Sequence, residues 1–190
     1  MSAKRVFDVI LSTLFLLLSL PLCIVISCLI RLDSPGPLFA KQRRIGRYKK
    51  PFTLFKFRTI RNGAEGVDRQ IEKNDECLTK FGKVFRPTHL DELPQLWNVL
   101  RGEMSLVGPR PLPLFQLVVM ESRFPHYKER ASVAPGMTGP VQILGRAEYS
   151  IDEGSHAVLL DLEYSRGHTI WGDIKILAKT FVVVFKFQGV

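Results

Sequence analysis

Cysteine and histidine are scarce, and their placement removes several kinds of chemistry at once. The three cysteines, Cys23, Cys28 and Cys77, are an odd number without metal-ligand spacing, and two lie in an apolar run. That pattern fits a reduced protein without disulfides. The four histidines, His89, His126, His156 and His168, are dispersed and form no zinc pattern. There is no Walker phosphate loop, no G-x-G-x-x-G turn, no H-E-x-x-H pair and no Asp-x-Asp metal motif. Acidic residues are also few, with 18 Asp and Glu against 27 Lys and Arg, a net charge of +9. The balance points to anionic partners: nucleic acid, a phosphorylated substrate or acidic lipid. Neither an internal repeat, a low-complexity tract nor a linker divides the chain, and 190 residues suffice for one core but not for two.

What the sequence has is a concentrated apolar run. From Val6 to Ile30 it is almost wholly apolar, long enough as a helix to cross a hydrocarbon core of roughly 30 Å. A signal peptide has a shorter apolar stretch and a small-residue cleavage site, so the segment is read as retained and membrane-embedded. Its flanks are basic on both sides. Lys4 and Arg5 precede it, and Arg31, Lys41, Arg43, Arg44, Arg47, Lys49 and Lys50 follow. Positive charge favours the cytoplasmic face, so both ends favour the same side of the membrane. Pro21, with Ser19 nearby, sits past the middle, where a proline kinks a helix. A serine hydroxyl can help satisfy the freed carbonyl. On these features a re-entrant hairpin and a plain single-pass anchor both stay open.

Beyond the turn cluster Asp33-Ser34-Pro35-Gly36-Pro37, the segment PLFAKQRRIGRYKKPFTLFKFRTI alternates apolar and basic residues, with breaks at Gly46 and Pro51. It reads as short strands or a hairpin at the membrane surface. Asn62 to Lys80 reads as a polar loop or short helix. HLDELPQLWNVLRGEM has helical periodicity, with Leu90, Leu93, Leu96, Trp97 and Leu100 expected on one side and Gly102 as C-cap. Leu112 to Val119 suits another helix, and IKILAKTFVVVFKFQGV an interfacial amphipathic one.

Three constellations carry chemical content. In the first, Asp91-Glu92 follows Thr88 at the spacing of a capping motif, and Pro94 fits a first helical turn. Carboxylates there feel the positive end of the helix, which favours ionisation and attracts phosphate. An ionised aspartate beside a phosphate site can act as a nucleophile and form an acyl phosphate. The competing reading makes Asp91 a cap and Glu92 a solvated side chain, and local pattern alone favours it. The second constellation is basic: Lys56, Arg58, Arg86, Arg110 and Arg146. Transfer between two anions needs positive charge or a metal. Arg110, between two prolines, sits on a stiff backbone suited to a phosphate clamp. The cluster from Lys41 to Lys50 is better read as a patch for anionic lipid. The third, Pro135-Gly136-Met137-Thr138-Gly139-Pro140, permits close backbone approach to a ligand but is weaker than a structural reading of the same loop.

The segments KRVFDVILS, SPGPLFAKQRRIGRYKKPFTLFKFRT, LDELPQLWNVLRGEMSLVGPRP, PGMTGPVQILGR and DLEYSRGHTIWGDIKILAKT span nearly the whole chain. In that order they closely resemble the bacterial sugar transferases called monotopic phosphoglycosyl transferases. The resemblance implies a mainly α fold with a small β element. Residues 1–32 would form a membrane-embedded re-entrant helix–break–helix, with the break at Pro21. Residues 33–190 would form a cytoplasmic catalytic domain with interfacial amphipathic helices, the two parts acting as one unit. It implies a sugar 1-phosphate moving from a UDP-sugar to polyprenol (undecaprenyl) phosphate on the cytoplasmic face of the bacterial inner membrane. Asp91 would be the covalent nucleophile, UMP would be released, and Mg2+ would sit near Asp91. Glu92 would orient the acceptor phosphate or take its proton. Lys56, Arg58, Arg86, Arg110, Gln142 and Arg146 would bind substrate. The family's break is at a Ser-Pro pair, whereas here Leu20 precedes Pro21. Larger relatives carry additional spanning helices or a further domain, so the chain resembles the minimal catalytic form. Membrane phospholipids are expected partners, nucleic acid is not, and homo-oligomerisation stays open, as does the identity of the sugar.

Two rivals belong to other classes. A membrane-anchored nucleic-acid binder accounts for the charge and for Phe52, Phe55 and Phe57. It leaves Asp91-Glu92 and Gly108-Pro109-Arg110-Pro111 without a purpose. A non-catalytic scaffold descended from the enzyme would be free to lose the acidic pair, which is intact.

Overall fold

The longest element follows from the longest apolar run. In the computed structural model, which describes residues 2–61, 75–144 and 154–185, helix α1 spans Ala3–Asp33. Ser2 caps it, its Oγ accepting from the Arg5 amide at 3.3 Å. The helix–break–helix expectation is not met in the backbone, because α1 is one continuous helix through Pro21. A proline deletes one ladder donor, at the Leu17 carbonyl, and the surrounding turns run on. The Ser19 hydroxyl donates to Leu16 O at 3.2 Å, one residue short of the carbonyl that the proline frees.

Both halves of α1 pack on the rest of the protein. Leu11, Phe15 and Leu16 lie against a core of Phe52, Leu54, Leu96, Val99, Met104, Leu106, Val107 and Tyr164. Further along, Ile26 and Ile30 are buried with Phe57 and Phe85. Polar contacts fix the near end. Arg5 donates to Val99 O at 2.5 Å and to Leu100 O at 2.7 Å. Lys4 pairs with the buried Asp173 at 2.6 Å, and the buried Asp8 carboxylate accepts from Ser105 Oγ and the Leu106 amide. The outward face, including Ile10, Leu14, Leu17, Leu18, Leu20, Leu22, Ile24 and Val25, is bare of protein.

The alternating segment after α1 forms the expected hairpin. Strand β1 (Phe39–Ile45) pairs antiparallel with β2 (Pro51–Phe57), and Tyr48 and Lys49 take the left-handed conformation at its tip. Residues 62–74 of the expected polar loop lie outside the described residues. Helix α2 covers Gly82–Phe85, a tight 3-10 turn covers Leu90–Glu92, and α3 covers only Gln95–Leu100. The long helix expected over this stretch is therefore split, because Pro94 cannot donate into a ladder and serves as the N-cap of α3. The expected apolar side is split too. Leu96 is buried, whereas Trp97 is 52% exposed and Val99 fills the core in its place.

Strand β3 (Ser105–Val107) runs parallel to β4 (Gly136–Thr138). Here the glycines of the Pro135–Pro140 segment find their reason, in chain-to-chain approach. A Cβ on Gly136 would lie 2.0 Å from Gly108 N, and one on Gly139 would lie 2.1 Å from Gly108 O. Helix α4 (Leu114–Arg123) exposes Leu114, Phe115, Val118 and Val119. Helix α5 (Gly154–Gly167) leads to α6 (Ile170–Phe185), which exposes Trp171, Ile174, Phe181 and Val182. The expected mainly α fold with a small β element is present, and α4 and α6 carry the expected apolar faces. All three cysteines are free.

The glycine contacts give a direct test. Gly136→Ala should cost at least about 3 kcal/mol in denaturant unfolding, through forced overpacking of backbone on backbone. Gly167→Ala, with nothing within 4 Å of the new methyl, should stay within about 0.5 kcal/mol. Equal effects at the two positions would contradict this account of the β3–β4 contact.

Candidate active site

Asp91 and Glu92 sit on the 3-10 turn between α2 and α3, entered through His89 in the left-handed conformation with φ of 55°. A non-glycine residue held there costs energy, and such strain concentrates at functional turns. Thr88 does not cap this turn as its spacing suggests. Its hydroxyl donates backward to Val84 O at 2.8 Å and Phe85 O at 3.1 Å, closing the end of α2.

The two carboxylates have different surroundings. Glu92 accepts from Lys56 Nζ at 2.6 Å and lies 3.9 Å from the Arg110 guanidinium. Burial works against its ionisation, but Lys56, then Arg110 and His89, outweigh burial and hold the carboxyl down at about 2. Asp91 is 5% exposed. Burial pushes its carboxyl up to about 6, Glu92 adds to the rise, and Lys56 and Arg86 offset only part of it. Among the described residues, no basic side chain lies within ion-pair distance of Asp91. The helix-end argument from sequence anticipated a favoured ionised form. Loss of hydration overrides it, since α3 is short and starts four residues later. Arg86 faces both acids, and its own pKa is lowered by burial against the opposing pull of Asp91, Asp75 and Glu92.

The strand alternation of β2 aims Lys56 at the acidic turn, two residues beyond the buried Leu54 and on the same face. What ties this strand to the turn is Asn98, which sequence reasoning missed. It is fully buried, accepts from the Phe55 amide at 3.1 Å, and donates to Thr53 O and Glu103 Oε2, each at 2.7 Å. The only signal in the sequence was an amide inside an otherwise apolar helical stretch.

The other expected substrate-binding residues divide. Lys56, Arg86 and Arg110 gather around the acidic pair. Arg58 is 1% exposed, and its guanidinium donates to Ser34 O and Pro35 O, each at 2.6 Å. It fastens the turn after α1. Gln142 lies beside Gly139, with both carboxamide atoms buried and without a hydrogen-bond partner. A carboxamide offers both a donor and an acceptor to a polar ligand. Arg146 lies outside the described residues.

For a metal ion, the described residues hold no cluster of three or more His, Cys, Asp or Glu side chains. Magnesium needs no such cage, since it binds through one or two carboxylates with substrate phosphates and waters. Asp91 fits as that single carboxylate, while Glu92 is committed to Lys56.

A family model described as bacterial sugar transferase matches residues 1–187. The chain belongs to the bacterial sugar transferase family. The chain is 37% identical over 180 residues to the UDP-glucose:undecaprenyl-phosphate glucose-1-phosphate transferase of Caulobacter vibrioides, covering 93% of the chain and 67% of that relative. It is 41% identical over 186 residues to the protein of the same description from Escherichia coli, covering 96% and 39%. To the undecaprenyl-phosphate galactose phosphotransferase of Salmonella typhimurium it is 36% identical over 202 residues, covering 98% and 41%. The sugar transferase thus spans from about two fifths to two thirds of the length of these relatives.

The raised Asp91 pKa has a consequence for stability. A carboxyl whose folded pKa exceeds its unfolded value stabilises the fold below the unfolded value, near 3.8, and loses that contribution as pH rises through about 6. Asp91→Asn removes the buried charge. It should therefore be more stable than the parent at pH 8, on the order of 1–3 kcal/mol, with the gap closing toward pH 4. Paired unfolding curves at the two pH values check this, and a less stable variant at pH 8 would contradict it.

Proposed function

We propose that this sugar transferase moves a sugar 1-phosphate from a UDP-sugar to polyprenol phosphate through a covalent phosphosugar on Asp91. The observation that carries the reading is the divergence of two adjacent carboxylates. One is held ionised by Lys56 and Arg110, and the other is buried, more basic and, among the described residues, beyond ion-pair distance of any basic side chain. A carboxylate with a pKa near 6 is largely ionised at pH 7 and is more basic, hence more nucleophilic, than an ordinary aspartate. The names of the relatives support the same donor and acceptor classes.

In the first half-reaction an Asp91 oxygen attacks the β-phosphorus. The bond from that phosphorus to the oxygen bridging to the α-phosphate breaks, and UMP leaves with the electron pair. In the second, an oxygen of polyprenol phosphate attacks the same phosphorus and the Asp91 carboxylate departs. The product is a polyprenyl diphosphate sugar. Lys56, Arg86 and Arg110 offset the charge of the diphosphate. Glu92, kept ionised, is a weak base, and its work is to hold Lys56 and Arg110 at the reacting groups. Gln142, with its unmatched amide, suits hydrogen bonding to nucleotide or sugar. Asp91 and the donor diphosphate would hold magnesium, which when bound supplies further charge neutralisation for the phosphates.

The membrane reading follows from packing. A helix with both halves resting on one body cannot stand upright through a bilayer while that body stays outside. Its bare face, with those of α4 and α6, suits an element embedded in one leaflet with both ends on the same side. The basic residues at both ends favour the cytoplasmic face of the inner membrane for the catalytic part.

Asp91→Asn should lower UMP release by at least about a thousandfold; substantial release would remove Asp91 as nucleophile. In the parent, kcat/KM for the UDP-sugar should fall as pH drops through about 6. Thiol labels at Ala3→Cys and Pro35→Cys, in a protein whose three native cysteines are replaced, should both react from the cytoplasmic side. Labelling from opposite sides would establish a true span.

A further inference from the structure

The loop that presents Arg110 is fastened carbonyl by carbonyl. Gly108 N donates to Thr138 O at 2.9 Å, and Pro109 O accepts from Gly136 N at 2.9 Å. Leu112 O accepts from Ile45 N at 3.0 Å. The Arg110 carbonyl, in the middle of this run, accepts from a side chain, the Arg130 guanidinium, at 2.6 Å.

Arg130 is 6% exposed and lies in the 3-10 stretch Pro125–Ser132. Its Nε and second terminal nitrogen each lie 3.1 Å from Asp161 Oδ2 on α5, which also accepts from Tyr127 Oη at 3.0 Å. The Tyr127 ring lies 4.8 Å from the guanidinium carbon. A buried ion pair is weak evidence of a stabilising role, since apolar side chains of similar volume often do as well. This one has a directional task that an apolar pair cannot perform. The planar fork holds Asp161 Oδ2 and still aims an N–H at the Arg110 carbonyl.

We propose that Arg130, clamped by Asp161, is the positioning residue that fixes the Arg110 backbone, so that its side chain meets the diphosphate beside Glu92. This rests on the reading above that Arg110 belongs to the site. Displacing a charged group by about 1 Å can cost on the order of a hundredfold in rate. The Arg110 side chain is one-third exposed and 3.9 Å from Glu92.

A double-mutant cycle on the full chain in lipid tests the proposal. UMP release is followed with UDP-glucose and UDP-galactose, together with a melting curve for each variant. Arg130→Lys keeps the cation for Asp161 but lacks the fork. It should lower kcat/KM about tenfold in the parent and less than about twofold in an Arg110→Ala background. Its shift in melting temperature should be the same in both backgrounds. An equal activity loss in both backgrounds, or no loss in the parent, would overturn the positioning role. If Arg130→Lys does not fold, Asp161→Asn takes its place, with the same convergence expected and the same outcomes overturning it. A silent Arg110→Ala would remove Arg110 from the site and this role with it. The nucleophile assignment, read separately from Asp91→Asn, would stand.

Discussion

Two carboxylates on consecutive residues of a buried turn repel each other and lose their hydration. Such a turn can be stable only if nearby cations offset that cost. Here the compensation is uneven. Lys56 contacts Glu92 at 2.6 Å and Arg110 approaches the same group, while Asp91 receives only more distant charge. The ion pair on Glu92 commits Lys56 and Arg110 to one carboxylate and leaves Asp91 buried with a raised pKa. Were Lys56 shared equally, neither carboxylate would be distinctive. The architecture serves this asymmetry: Asn98 sets the strand bearing Lys56 against the acidic turn, and Arg58 secures the turn that leads into the hairpin.

Helix α1 contributes to two of the hydrophobic clusters that support the hairpin and the acidic turn, and its opposite face is bare. Helix α1 and the part that carries the acidic turn therefore share one core. A proposed acceptor with a long hydrocarbon tail and a phosphate head requires that closeness, since its reacting phosphate cannot stray far from the lipid surface.

The hairpin, the mainly helical content, the apolar faces of α4 and α6, the free cysteines and the family were legible in the sequence. Each rests on local alternation, spacing or a long specific motif. What was not legible came from three-dimensional competition. Thr88 and Asp91 had the spacing of a helix start, but Pro94 moved the start to Gln95 and the hydroxyl turned back onto α2. Arg58 looked like one more phosphate-binding cation, yet it is sealed against two carbonyls, and sequence cannot show which member of a basic set is buried. Gly136 and Gly139 read more as a structural loop than as a ligand contact, and they lie against Gly108 of this chain, a partner that sequence could not name. The sign of the Asp91 shift was missed for the same reason, because burial is not written in the order of the residues.

The most direct measurement is the mass of the peptide containing Asp91 after the purified protein meets a UDP-sugar without acceptor. On this account that peptide gains one sugar phosphate, the gain vanishes when polyprenol phosphate is added, and the Asp91→Asn protein never acquires it. Full turnover with acceptor from a protein that carries no such adduct at any stage would mean direct transfer between the two phosphates, and would contradict the role assigned to Asp91.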